Sequence, residues 1–168
     1  MQLNYYNTNF KQQTFPIQII CENVSNAPNI GSLFRTCDAF GVKKLVFCGS
    51  DIPLGRKMTK TSRATEKIVN YEVRESSLEL IKTLKSEGYT VISLEITTNS
   101  QALHDFKIVN NSPIALVVGD ENFGVSEEVL KLSHHIIHID MFGHNSSMNV
   151  VQATSIALYE ITKQLSIK

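Results

Sequence analysis

The segment IALVVGDENFGVSEEVLKL, residues 114–132, decides the fold class of this 168-residue chain. Its first five residues are all apolar and a glycine follows, which is typical of a strand buried on both faces. The acidic loop that comes next leads to Ser126, which we expect to cap a short helix ending at Leu132. A buried strand, a loop and a helix in this order indicate a parallel sheet covered by helices.

The same alternation continues on both sides of this segment. Besides residues 114–119, the sequence predicts strands at 17–20, 44–48, 67–73, 89–96 and 135–139. It predicts helices from about Ile30 to Gly41, from Leu78 to a stop at Gly88, and from about Ser147 to Leu165. We therefore expect a polar arm over residues 1–15 and a single α/β domain over residues 16–168, in which a parallel sheet is covered by helices on both faces.

Composition and charge restrict the class of protein. Sixteen basic and sixteen acidic residues give a formal net charge of zero, so a nucleic-acid partner would need a local basic patch, a dimer that pools patches, or recognition by shape. Cys21, Cys37 and Cys48 lie in apolar segments without a C-x-x-C pair, which predicts buried, reduced thiols. The N-terminal residues lack the features of a signal peptide, and no stretch approaches eighteen apolar residues. We expect a cytoplasmic protein without a membrane partner.

Three polar segments follow predicted strands, where parallel sheets bind ligands. They are NVSNAPNIGSLFRTCDAFGV (23–42), VVGDENFGVSEE (117–128) and IDMFGHNSSMNVVQA (139–153). In the first, Asn29 can cap a helix, Gly31 allows close backbone approach, and Arg35 lies opposite the apolar stripe, as an ordinary surface arginine also would. The second fits neither the dinucleotide-binding nor the P-loop pattern. The third offers helix N-terminal donors to a bound anion or ribose.

Taken together, the three segments resemble a known family. The spacings Asn29-x-Gly31-x-x-x-Arg35, Gly119-x-Glu121-x-x-Gly124 and Ile139-x-Met141-x-Gly143 with Ser147-x-Asn149 resemble the three ordered motifs of SpoU (TrmH-like) methyltransferases. The resemblance extends from about Pro16 to Tyr159. Met148 stands where leucine is more usual, and Val151 stands where many members have a small polar residue.

The resemblance implies a SPOUT fold, in which a parallel sheet ends in a deep C-terminal trefoil knot, and a homodimer. It also implies S-adenosylmethionine (AdoMet) as cofactor, bound by Leu94, Gly119, Ile139, Ser147 and Met148. Arg35 would lie at the acceptor hydroxyl, held there by Asn29 and Glu121, while Ser147 and Asn149 would position cofactor and acceptor. Because a guanidinium does not lose its proton in a protein, Arg35 is expected to bind a phosphate or the developing alkoxide rather than act as a base.

The implied reaction is 2′-O-methylation of a ribose in structured RNA. tRNA is the first expectation, with the D-loop guanosine favoured over the anticodon wobble position. The alternatives are an rRNA substrate, base methylation as in another SPOUT branch, and a non-catalytic knotted module that only binds RNA. The polar arm over residues 1–15 is either loose or a contact to RNA or a second subunit.

Three further patterns bear on RNA, metal and subunit contacts. A basic run, Arg56, Lys57, Lys60 and Arg63, is either a solvated face or a grip on RNA phosphates. His134 and His135 would face opposite sides of a strand without thiol or carboxylate partners, so we expect no metal site. The last predicted helix is apolar on two sides, with Ile156 and Tyr159 opposite the main stripe. Its second side contacts either another subunit or the rest of the monomer.

Overall fold

The computed structural model describes residues 8–166, and its elements alternate between strands and helices. The strands are β1 (Phe15–Glu22), β2 (Val42–Cys48), β3 (Tyr71–Arg74), β4 (Thr90–Leu94), β5 (Gln101–Ala102), β6 (Ile114–Gly119) and β7 (His135–His138). The helices are α1 (Ala27–Ala39), α2 (Arg56–Ser62), α3 (Ser77–Ser86), α4 (Glu127–Leu132) and α5 (Val150–Ser166).

The seven strands form one parallel sheet in the order β3-β2-β1-β6-β4-β7-β5. Strand β6 lies at its centre, between β1 and β4. Its first five residues are buried, as their unbroken apolar character predicts. The predicted α/β class with a parallel sheet is therefore confirmed. The C-terminal trefoil knot stays a prediction.

The sheet has an apolar core on each face, because successive side chains of a buried strand point to opposite sides. Ile19 of β1 packs into the core formed with α1, α2 and α5, and the next residue, Ile20, packs into the core formed with α3 and α4. The helices thus cover both faces, as predicted. Cys21, Cys37 and Cys48 are free and buried, and burial raises the pKa of the Cys48 thiol to about 12.

One predicted strand, residues 67–73, is wrong in its first half. A 3₁₀ turn occupies Thr65–Lys67, and β3 begins only at Tyr71. Ala64 has a left-handed backbone with φ of 69°, and its carbonyl accepts a hydrogen bond from the N–H of Lys67 at 3.1 Å. The hydrogen bonds of this local turn therefore hold the backbone out of the strand conformation, and β3 begins later than the alternating pattern predicts. Helix α2 and the two-residue strand β5 had no counterpart in the sequence-based prediction.

The predicted N-termini of two helices, α1 and α5, differ from the structure, and the cap of α4 differs in its bonding. Asn26, not Asn29, caps α1, and its side chain accepts from the N–H of Asn29 at 3.1 Å. Ser126 precedes α4 as predicted, but its hydroxyl makes no capping bond. Helix α5 begins at Val150 rather than near Ser147, because the Asn149 side chain accepts from the N–H of Val151 at 2.9 Å.

The predicted N-terminal arm, residues 1–15, is only partly described. Residues 1–7 lie outside the described part of the chain. Phe15 belongs to β1 rather than to the arm, and its N–H donates to the carbonyl of Gly41 at 2.8 Å. Phe10, in the segment between, is almost fully exposed.

Candidate functional site

A cavity of about 720 Å³ opens at the carboxyl ends of the neighbouring strands β6, β4 and β7. This is the edge at which open parallel sheets bind their ligands. Its walls also include the loop after β6, the segment before α5, and the first turn of α5. The five residues expected to bind the cofactor all line it: Leu94, Gly119, Ile139, Ser147 and Met148.

The loop after β6 is folded by its own residues. The Asp120 carboxylate accepts from the N–H groups of Asn122 at 3.0 Å and Phe123 at 2.7 Å, and the Gly124 N–H donates to the Asp120 carbonyl at 2.9 Å. Gly124 has a φ of 65°, which favours glycine. A side chain at Gly119 would overlap the Gly124 carbonyl and the next backbone nitrogen. Both glycines are therefore needed for the loop to fold back against the strand.

A hydrogen-bonded network at this cavity consists of Asn29, Glu121 and Asn149. The Asn29 side-chain amide donates to Glu121 Oε1, and Asn149 Nδ2 donates to Asn29 Oδ1 at 3.1 Å. These residues come from the start of α1, the loop after β6 and the residue before α5. The network therefore joins all three motif segments, which are up to 120 residues apart in sequence.

Arg35 lies apart from this hydrogen-bonded network. It is exposed on α1 and is not among the cavity-lining residues. It is six residues after Asn29, or about 9 Å further along the helix. Within residues 8–166, no hydrogen bond or ion pair to its guanidinium is found, and Asn29 and Glu121 bond to each other instead. The expected contact that holds Arg35 between those two side chains is thus absent from the described chain.

The basic run Arg56, Lys57, Lys60 and Arg63 is exposed; its first three residues belong to α2, and Arg63 follows the end of that helix. The other side of α2 is buried through Met58 and Ser62 and packs against α1. A side chain at Gly31 of α1 would overlap the Met58 carbonyl and the Thr61 hydroxyl, so the predicted close approach at Gly31 is made to α2. The geometry is compatible with both predictions for the run, a solvated face and a contact to phosphates.

Two carboxylates at the ends of strands were missed by sequence reasoning. Glu22, at the end of β1, is buried and accepts from Ser77 Oγ at 2.6 Å and from the Ser126 N–H and Oγ, each at 2.8 Å. Glu95, after β4, accepts from the N–H of Val125 at 2.9 Å and lines the cavity. A carboxylate that closes an apolar strand was the available signal in both cases.

A histidine network lies beside the cavity wall at the end of β7. His138 Nδ1 lies 2.9 Å from Ser100 Oγ, and its Nε2 lies 3.4 Å from Asp140 Oδ1. Asp140 Oδ2 is in turn 3.1 Å from His104 Nδ1. These contacts brace the backbone around Ile139. In the described range, no group of three or more His, Cys, Asp or Glu side chains is arranged to hold a metal ion.

The parallel sheet and the cavity surrounded by three motif segments define a protein of the SPOUT methyltransferase class. The model of the SpoU rRNA Methylase family matches residues 16–159, and the chain belongs to that family. A tRNA (guanosine(18)-2′-O)-methyltransferase from Thermus thermophilus is 33% identical over 151 residues, covering 88% of this chain and 75% of that protein.

Across residues 8–166, no helix is long and apolar enough to cross a membrane.

Solved structures share this fold. The A. aeolicus TrmH/SpoU tRNA modifying enzyme gives a TM-score of 0.83 at 27% identity, covering 93% of this chain and 78% of that one. The methyltransferase AviRb from Streptomyces viridochromogenes, in complex with AdoMet, gives 0.80 at 20% identity, covering 98% and 66%. A structure concerning 2-OH methylation of C/U34 on tRNA gives 0.75 at 22% identity, covering 90% and 97%. At 20% and 22% identity, the last two structures show only that the fold is shared.

Proposed function

We propose that this protein transfers a methyl group from AdoMet to a ribose 2′-hydroxyl of tRNA. The observation that carries the proposal is the hydrogen-bonded network of Asn149, Asn29 and Glu121. It brings the three motif segments together at the cavity. The Thermus relative, named for 2′-O-methylation of guanosine 18, supports the D-loop guanosine as first candidate.

The cavity fits a cofactor of this kind. Its volume lies within the range of roughly 300–1,000 Å³ that is usual for small-molecule sites. Leu94, Ile139 and Met148 supply apolar surface, and Gly119 ends β6 at the cavity wall. When bound, AdoMet supplies a methyl group already activated on a sulfonium. The protein therefore has to orient the acceptor and stabilise the charge that develops on its oxygen.

Arg35 supplies that stabilisation in our proposal. Its guanidinium has no partner among the described residues and remains available to a phosphate or to the alkoxide that forms as the hydroxyl proton leaves to solvent. Ser147 and Asn149 offer hydrogen-bond donors near the start of α5. Asn29 and Glu121 hold the loop after β6 against α1, which maintains the shape of the acceptor side of the cavity.

The anticodon wobble position is the second candidate substrate. The chain covers 97% of the protein solved in connection with methylation of C/U34 but only 75% of the Thermus relative. Proteins named for both tRNA positions therefore match this chain. An rRNA substrate is the third candidate, and the family description names rRNA.

A homodimer is part of the proposal. Ile156 and Tyr159 lie on one side of α5 and are 42% and 63% exposed. The part of the predicted two-sided helix opposite the sheet is therefore not covered within the described monomer, and a second copy would cover it. Sedimentation at micromolar concentration should give twice the 18.8 kDa chain mass. A stable monomer would contradict this part of the proposal.

The decisive assay supplies AdoMet and unmodified tRNA transcripts and maps the product by alkaline cleavage, because a 2′-O-methyl group removes the attacking hydroxyl. Protection after one nucleotide of the D-loop or anticodon loop is the expected result. Methylation without protection would indicate base methylation. RNA binding without AdoMet binding in calorimetry would indicate a non-catalytic module.

Arg35→Ala tests the assigned role. We expect more than a tenfold loss of rate, or more than about 1.4 kcal/mol of transition-state stabilisation. AdoMet affinity and the dimer should persist. Arg74→Ala is the matched control, because Arg74 is also exposed but belongs to β3, and within residues 8–166 its side chain pairs only with Glu72. A variant that retains more than a tenth of the rate would exclude an essential role for Arg35.

A further inference from the structure

The cavity is acidic. Three carboxylates line it, those of Glu95, Asp120 and Glu121, and the described lining residues include no lysine or arginine. Two of these carboxylates have evident local tasks. Asp120 accepts from two backbone N–H groups of its own loop, and Glu121 accepts from Asn29. Glu95 is the third, and the motifs assign it no role.

The position of Glu95 is well defined. Its backbone N–H donates to the Ile137 carbonyl at 2.9 Å, which fixes it beside β7. Oε1 accepts from the N–H of Ile96 at 2.9 Å, and Oε2 accepts from the N–H of Val125, also at 2.9 Å. Both partners are neutral, and no ion pair to Glu95 is found in the described chain. The carboxylate is thus anchored at the cavity wall by two neutral backbone donors and by no cation of the described chain.

We propose that Glu95 is a specificity residue that favours the sulfonium form of the cofactor over the demethylated product. AdoMet carries an ammonium, a carboxylate and a sulfonium, so its net charge is +1 at neutral pH. Transfer of the methyl group leaves a thioether, S-adenosylhomocysteine, with net charge zero. A fixed negative charge at a half-buried wall attracts the first more strongly than the second. This inference rests on the proposed cofactor.

The consequence concerns turnover. The rest of the two ligands is the same, so apolar and hydrogen-bonding contacts in the cavity bind both about equally. A charge-dependent contact is lost only when the methyl group leaves, and it therefore weakens product binding relative to cofactor binding. Glu95 would in this way reduce inhibition by the product.

Glu95 also joins the end of β4 to the loop after β6, and a merely structural role must be distinguished from the electrostatic one. Loss of the loop contact would weaken both ligands by a similar factor. Loss of the charge would change the ratio of the two affinities. The readout is therefore the ratio of the S-adenosylhomocysteine Kd to the AdoMet Kd, measured by calorimetry on the full chain.

Two variants separate these effects. Glu95→Gln keeps the size and one acceptor oxygen but removes the charge, and we expect the ratio to fall about three- to tenfold, as for one charge at partly solvated distance. Glu95→Asp keeps the charge but is too short for both backbone contacts. It should weaken both ligands and leave the ratio within about twofold of wild type. Glu87→Gln is the control for an exposed carboxylate outside the cavity lining and should leave both affinities unchanged.

Salt gives a further readout on the unmodified protein. Ions screen charge but not apolar contacts, so the wild-type ratio should decrease between 50 mM and 500 mM salt, whereas the ratio for Glu95→Gln should change less. An unchanged ratio in Glu95→Gln, with both ligands still bound, would overturn the inference and leave the proposed function intact. Failure of wild-type protein to bind either ligand would instead overturn the proposed cofactor.

Discussion

Glu22→Ala should destabilise the protein strongly although Glu22 lies outside all three motifs. The carboxylate is buried and accepts three hydrogen bonds, from Ser77 Oγ and from the N–H and Oγ of Ser126. It thereby ties the end of β1 to the starts of α3 and α4. Truncation leaves three donors without their acceptor and opens space at the sheet edge. Hydrogen bonds to a charged group contribute about 1.5–3 kcal/mol each, and partial access of water to Ser126 reduces the sum.

We therefore expect a loss of about 3–5 kcal/mol in the free energy of unfolding. For a domain of this size, each kcal/mol lowers Tm by about 2–4 °C, so Tm should fall by roughly 6–20 °C. Urea titration followed by circular dichroism measures the change. Protein concentration must be held constant, because the stability of a dimer depends on it.

Glu22→Gln should cost less, about 1–2 kcal/mol, because the geometry can be retained. The amide oxygen can accept from the Ser126 N–H, and the amide nitrogen can donate to the two serine hydroxyls. Glu75→Ala is the matched control, since Glu75 is exposed and should change stability by less than about 0.5 kcal/mol. A loss below about 1 kcal/mol for Glu22→Ala would refute the reasoning that these three contacts hold the elements together.

Three other predictions concern RNA and pH. Replacing Lys57 and Lys60 with alanine should flatten the slope of log RNA affinity against log salt by about one to two units. An unchanged slope, as expected for the control Lys82→Ala, would show that the run is only a solvated face. Phe123 is 91% exposed at the cavity, so Phe123→Ala should weaken RNA binding by about 1–3 kcal/mol if a base stacks on it, whereas Val109→Ala should not. Equal RNA affinity in both variants would contradict a stacking role. His134 Nδ1 accepts from the Val91 N–H at 2.9 Å, and burial, followed by Lys85 and His135, lowers the pKa of its imidazole. The stability that neutral His134 contributes is present above the ordinary imidazole pKa of about 6.5 and is lost as pH falls below it. The urea midpoint of the wild-type protein should therefore drop towards pH 5.5. This drop should be smaller in His134→Gln than in His144→Gln. Equal drops in both variants would exclude His134 as the cause.

Local sequence patterns were sufficient for most of the sheet, whereas the cofactor-binding residues that line the cavity were implied by the resemblance to the family. An unbroken apolar run such as 114–118 can be buried only where both faces are covered, so β6 and its central place follow from residue type. The positions of Gly119 and Ile139 at the carboxyl ends of β6 and β7 followed from the strand pattern, because parallel strands end at one edge. Residues 67–70 were misassigned because left-handed Ala64 starts a local turn that no periodicity records.

The tertiary structure decided the contacts between distant segments. Glu121 meets Asn29 across 92 residues, and Glu22 meets Ser126 across 104. The sequence marks both carboxylates, Glu121 by its motif and Glu22 by its place at the end of an apolar strand, but it does not identify these hydrogen-bond partners. Arg35 illustrates the converse, because its motif position predicted a contact with Asn29 and Glu121 that the described chain lacks. Periodicity records which face of an element is apolar, whereas the partner of a polar side chain depends on how elements far apart in sequence come together in the fold.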